Sequence, residues 1–288
     1  MFRKMTIAIM LGASLMLTAC SGQTQTKSHV NAPPKMAATQ VILKTSQQTK
    51  KIENMQMKSA MTIDVAVNGQ KSVQNSISNT LYDLKQPLMY QTSTISIKEN
   101  SQNKKLKTES YLNPSAMYSK SDVTPEWTKV PVKGKTGQLL KDALTRNSNP
   151  SGQLIVLKEF KKNIKLKTNA NNYVVQFQGN EKETAQLLRK SMSKSLNNNQ
   201  AQALKSVLKV MKYKSMSYTY TVDKKTFNPQ RFNMTFTAVP LKKAVGSETI
   251  HMEINTSFSK INQLQKLTIP ANILKNARTV DPSALQNQ

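Results

Sequence analysis

From Met57 the sequence alternates with a period of two. Met57, Ser59, Met61, Ile63, Val65 and Val67 fall on one side; Lys58, Thr62 and Asp64 fall on the other. That is the pattern of a strand with one buried face. Asn68-Gly69 follows, the strongest short-range hairpin signal. Further strands are predicted at about 71–81, with Val73, Ile77 and Leu81 on one face, and at 88–98, 106–112, 117–119 and 127–130. Asn113-Pro114 turns the chain between two of them. A second block opens with a hairpin over 164–168 and 173–178. It continues at 213–222 (Met216, Tyr218, Tyr220, Val222), 230–239 (Phe232, Met234, Phe236) and 248–260 (Ile250, Met252, Ile254, Phe258). Alternation of this kind between short turns specifies antiparallel meanders with one wet face.

Helical spacing fills the remainder. Val41, Ile42, Thr45, Thr49 and Ile52 recur at threes and fours within 36–54, and Leu187, Leu188, Met192 and Leu196 do so within 181–196. Helices are also predicted at 136–145, 152–162, 200–209 and 271–277. The order is helix then meander, twice, without a short-period repeat. The fold class is α+β.

Composition removes several alternatives. Eight Gly and 11 Pro in 288 residues exclude collagen-like chains, and a single Cys excludes a disulfide scaffold. No apolar run reaches the roughly 20 residues of a spanning helix. Two His and one Cys leave no metal cluster, so no metal or cofactor is expected. No nucleophile elbow and no phosphate-cradling glycine loop occur. His251 beside Glu253 reads as a polar pair on a strand face, and Asp223 as a turn cap. A non-enzymatic protein is expected.

The one Cys stands at the end of a signal-like segment. Arg3 and Lys4 precede an apolar run from Met5 to Leu17, too short to span a bilayer. Leu17-Thr18-Ala19-Cys20 resembles the bacterial lipobox. The resemblance implies cleavage between Ala19 and Cys20 and a diacylglyceryl group on the Cys20 sulfur. The expected organisation is a lipoprotein signal peptide at 1–19, a flexible tether at 20–35, one domain at 36–278 and a loose tail at 279–288. Acyl chains would anchor the protein on the extracellular face of the cell membrane.

Three short motifs carry a wider resemblance. They are Tyr118 with Trp127-Thr128-Lys129, Asp223 with Thr226 and Pro229, and the terminal Ile269-Pro270-Ala271-Asn272-Ile273. With the lipobox, tether, leading helix and two meanders, residues 36–278 resemble the LolA/LppX-like superfamily of envelope lipoproteins, and more closely an uncharacterised branch from Gram-positive surfaces. The resemblance implies a curved antiparallel sheet, a half-barrel of two meanders, with helices packed across its concave face. It also implies a lipid or other hydrophobic ligand carried between sheet and helices. No ligand-contacting residue transfers by position.

The residues themselves offer candidates for such a cavity: Met57, Met61, Ile63, Val65, Trp127, Met216, Tyr218, Tyr220, Met234 and Met252. Methionine adapts to irregular ligands but equally fills cores, so these rows serve either purpose. Trp127 either stacks on a ligand or anchors a core. The 42 Lys+Arg against 15 Asp+Glu give a net charge of +27, or +25 after cleavage at Cys20. A signal peptide removes nucleic acid as partner. Anionic wall polymer or lipid head groups remain, reached within the roughly 8 Å over which salt lets such a field act. Two functions follow as expectations: a carrier of an amphiphile, or an interaction lipoprotein whose basic surface docks on anionic polymer or a protein.

Overall fold

The computed structural model describes residues 36–67, 70–99, 102–133, 150–195, 211–241 and 249–281. They build one open, curved sheet of twelve strands. The first six are β1 (Asn54–Val67), β2 (Gln70–Asp83), β3 (Leu88–Glu99), β4 (Gln102–Leu112), β5 (Ala116–Ser121) and β6 (Thr128–Pro131). Then come β7 (Ile164–Thr168), β8 (Asn172–Gly179), β9 (Met211–Asp223), β10 (Pro229–Pro240), β11 (Thr249–Ser259) and β12 (Arg278–Thr279). The spatial order is β12-β6-β5-β4-β3-β2-β1-β11-β10-β9-β8-β7. Every pairing is antiparallel except β12 on β6. The two meanders join where β1 pairs with β11, Met61 opposite Ile254. The predicted fold class holds.

Four α-helices are described: α1 (Ala38–Thr49), α2 (Gly152–Val156), α3 (Glu181–Ser195) and α4 (Ala271–Asn276). A 3-10 helix, Leu157–Asn163, continues α2. The sequence reads 152–162 as one helix, but Phe160 leaves helical geometry (φ −108°, ψ 43°) and its ring meets Phe177 edge-on at 5.6 Å. Core packing here outweighs local propensity. α3 begins with a reciprocal cap. Asn180 Oδ1 accepts the Glu183 N–H at 3.1 Å, and Glu183 Oε2 accepts the Asn180 N–H at 2.9 Å. The helices predicted at 136–145 and 200–209 lie outside the described residues.

Three core clusters form, one of Ile52, Met55 and Tyr82 and two larger ones on opposite faces. The larger of these two lies between the concave face and α1, α2, the 3-10 segment and α3, and includes Val41, Ile42, Leu154, Phe160, Leu187 and Leu188. Thr49 Oγ1 and Ser151 Oγ meet at 2.7 Å and tie α1 to the start of α2, while the Tyr220 hydroxyl donates to the Pro150 carbonyl. The smaller of the two lies on the convex face, where Leu88, Tyr111, Ala116 and Tyr118 are covered by Ile273 of α4.

The three short motifs gain physical reasons. Asp223 Oδ1 accepts the N–H groups of Lys225 (3.0 Å) and Thr226 (2.8 Å) and the Thr226 hydroxyl (2.9 Å). Those bonds hold Phe227 at φ 57° and depress the Asp223 pKa. The other two motifs meet each other. Trp127, Ile269 and Ile273 pack in the convex core, and the carbonyls of Trp127 and Lys129 accept the N–H groups of Arg278 and Val280, each at 2.9 Å. Thr279, expected in a loose tail, therefore belongs to a strand.

Candidate functional site: the concave face

Cross-strand register arranges the alternating residues into continuous rows. One runs Met61–Ile254–Met234–Tyr218–Phe177–Ile164 across β1, β11, β10, β9, β8 and β7. A parallel row runs Ile63–Met252–Phe236–Met216–Gly179. Of the candidates, Ile63, Met216, Tyr218, Tyr220, Met234 and Met252 are buried in the larger core, the most exposed of them Met252 at 7 %. Met61 and Val65 are half-buried against it. Met57 packs with Ile52, Met55 and Tyr82 at one end of the same face. Burial drives the Tyr218 and Tyr220 phenols far above the ordinary tyrosine range, so both stay neutral.

Trp127 does not join them. It lies in the convex core, 5.8 Å from Tyr111 between ring centroids, with the Lys120 Nζ 5.0 Å from its ring. Ala19 and Cys20 lie outside the described residues. His251 bonds Thr237 (Nδ1 to Oγ1, 3.1 Å), and Glu253 accepts from Asn255 at 2.8 Å.

Across the β1–β2 boundary the concave face changes chemistry. Opposite Ser59 the row continues Ser78–Ser93–Thr108–Ser121 through β2, β3, β4 and β5. Its neighbour runs Met57–Thr80–Gln91–Ser110. Ser93 and Thr108 hydroxyls meet at 2.7 Å, Gln91 Nε2 donates to Thr80 Oγ1 at 3.1 Å, and Ser59 and Thr256 hydroxyls meet at 3.0 Å. Half-buried Ile95 and Leu106, paired across β3 and β4, stand beside these rows on the same face. Val73, Ile77 and Leu81 share one face of β2, as their spacing predicts, but that face is not the buried one. Gln74, Thr80 and Tyr82 are buried instead, and Ile77 is 64 % exposed on the convex side. The register to β1 decides it: Tyr82 faces Met55 and Ile77 faces Ala60.

Among the described residues no three His, Cys, Asp or Glu side chains come together as metal ligands. Also among them, no helix is long and apolar enough to cross a membrane.

Residues 37–278 match a family of unknown function, DUF6612. The chain belongs to that family. No curated protein matches it. Among solved structures it is similar to LprF from Mycobacterium bovis, at 10 % identity and a TM-score of 0.38, over 81 % of this chain and 97 % of that one. It is also similar to a DUF1329 family protein from Desulfovibrio piger, at 10 % identity and a TM-score of 0.24, over 86 % of this chain and 98 % of that one.

Proposed function

We propose that this DUF6612 member is a non-catalytic lipoprotein, anchored through Cys20 outside the cell membrane, that binds an amphiphile on its concave face. One observation carries the reading: a single continuous face is apolar on β1 and β11 and carries two rows of hydroxyl and amide side chains across β2 to β4. Half-buried Met57, Met61, Ile254 and Phe258 offer an apolar bed for an acyl chain. Ser78, Ser93 and Thr108 offer donors and acceptors for the polar end a strand or two away. Adjacent strands lie roughly 4.8 Å apart, so the two chemistries sit within the length of one lipid. The fully buried part of the rows is core; the occupant meets only the half-buried part. Binding sites of this class pair a mostly apolar wall with a few placed polar groups.

The test is native mass spectrometry of the full-length protein purified from membranes in detergent, followed by organic extraction. A stoichiometric lipid beyond the covalent anchor supports the reading and identifies the ligand class. A mass showing only the anchored chain, unchanged on adding membrane lipids, overturns it.

A further inference from the structure

A cleft of about 500 Å³ opens over β2 to β5, lined mostly by convex-face residues and also by Ser93, Thr108 and Ser121 of the hydroxyl row. That volume suits a small ligand. One row of its floor is Asn79–Thr92–Glu109–Lys120. The next is Ile77–Thr94–Lys107. The β5–β6 connection supplies a wall at Asp122 and Pro125. That wall is fixed in place. The Asp122 carboxylate accepts the Lys107 N–H at 3.2 Å, the Asp122 N–H donates to the Lys107 carbonyl at 3.1 Å, and the Thr124 N–H donates to Ser121 Oγ at 2.9 Å.

The chemistry of this cleft departs from that of the chain. Basic groups outnumber acidic ones almost three to one overall, 42 against 15. Here two lysines face two carboxylates. Glu109 is held from both sides, by Lys120 at 2.9 Å and by the Tyr90 hydroxyl at 2.9 Å. Burial, and then this bond, push the Tyr90 pKa up to about 12. The floor also carries Ile77, a large apolar side chain 64 % exposed among hydroxyl and amide groups. An anion would meet Glu109 and Asp122. An acyl chain would find only Ile77 and Pro125 among polar and charged side chains. A neutral polyhydroxyl ring satisfies every feature: its C–H face covers Ile77, and its hydroxyls both donate to the carboxylates and accept from Lys107 and Asn79.

We propose that the convex cleft is a binding site for a neutral saccharide. The proposal is independent of the concave-face reading and survives its failure. Trp127, the chain's one tryptophan, lies against Lys120 and serves as reporter. The full-length protein in detergent is titrated with chitotetraose and with maltotetraose, following Trp127 emission and, in parallel, heat of binding. The expected result is a saturable response to at least one sugar. Glu109→Gln should weaken it about tenfold, the effect of losing a charge-assisted hydrogen bond. Ile77→Asp should abolish it while leaving the melting temperature unchanged, since Ile77 is exposed. No emission change and no heat with either sugar overturns the proposal. So does a response that Ile77→Asp leaves intact, or one given by inorganic phosphate alone.

Discussion

Gly179 ends the row Ile63–Met252–Phe236–Met216, where every other strand supplies a side chain. A methyl group there would stand 2.8 Å from Phe177 Cζ, 2.9 Å from Cε1 and 3.2 Å from Thr184 Oγ1. The Phe177 ring has little room to yield, because Phe160 lies against it at 5.6 Å and Tyr218 at 6.0 Å. Two effects oppose each other in Gly179→Ala. Alanine restricts the unfolded chain and gains roughly 0.5–1 kcal/mol. Overpacking a filled core costs roughly 1–3 kcal/mol. The clash should win, leaving a net loss of about 1 kcal/mol. Urea denaturation should show a lower midpoint with an unchanged slope. Pairing the change with Phe177→Leu should bring the two losses below their sum, because both act on one space. A Gly179→Ala protein as stable as the parent, or more so, would refute the claim that packing, and not backbone freedom, selects glycine here.

Met234→Ala empties a site only 1 % exposed; denaturation should record a loss of roughly 2–5 kcal/mol, against under half of that for the half-buried Met57→Ala. Asp223 has a depressed carboxyl pKa in the folded state, from its bonds to Thr226 and Lys225. Its contribution is therefore complete above the ordinary carboxylate range and lost as pH falls through the folded value. Thermal melts of Asp223→Asn should show a shallower acid decline than the parent, together with a small loss at neutral pH. Cys20→Ser should move the protein from the membrane fraction to the soluble fraction, read by fractionation and immunoblotting; retention on the membrane would remove the anchor from the proposed function.

Period-two alternation made the strands legible because each has one packed face, and Met216, Tyr218, Tyr220 and Val222 are all buried as that alternation requires. The Val67–Gln70 pair leaves two residues for the Asn68-Gly69 connection. Long-range register was not legible. Nothing local tells β1 to pair with β11, nearly 200 residues away, and that pairing builds the face. In β2 the spacing shows that Val73, Ile77 and Leu81 share a face, but not which face packs; the buried one is built from Gln74, Thr80 and Tyr82. The hydroxyl rows carried a signal in Ser76, Ser78 and Thr80, which share the parity of Tyr82. β12 was too short for any periodicity; Trp127 and Lys129 carbonyls specify it from outside.

The placement of the two larger cores has a mechanical consequence. One grips the sheet from the concave side at the β7 end, and the other grips it from the convex side near β6. Such a sheet is a leaf spring clamped at opposite ends on opposite sides. Loosening one clamp leaves the other engaged, so amide exchange should resolve two cooperative blocks. A load on the leaf, such as an occupant pressed against its hydroxyl rows, would be shared by both clamps through the strands between them.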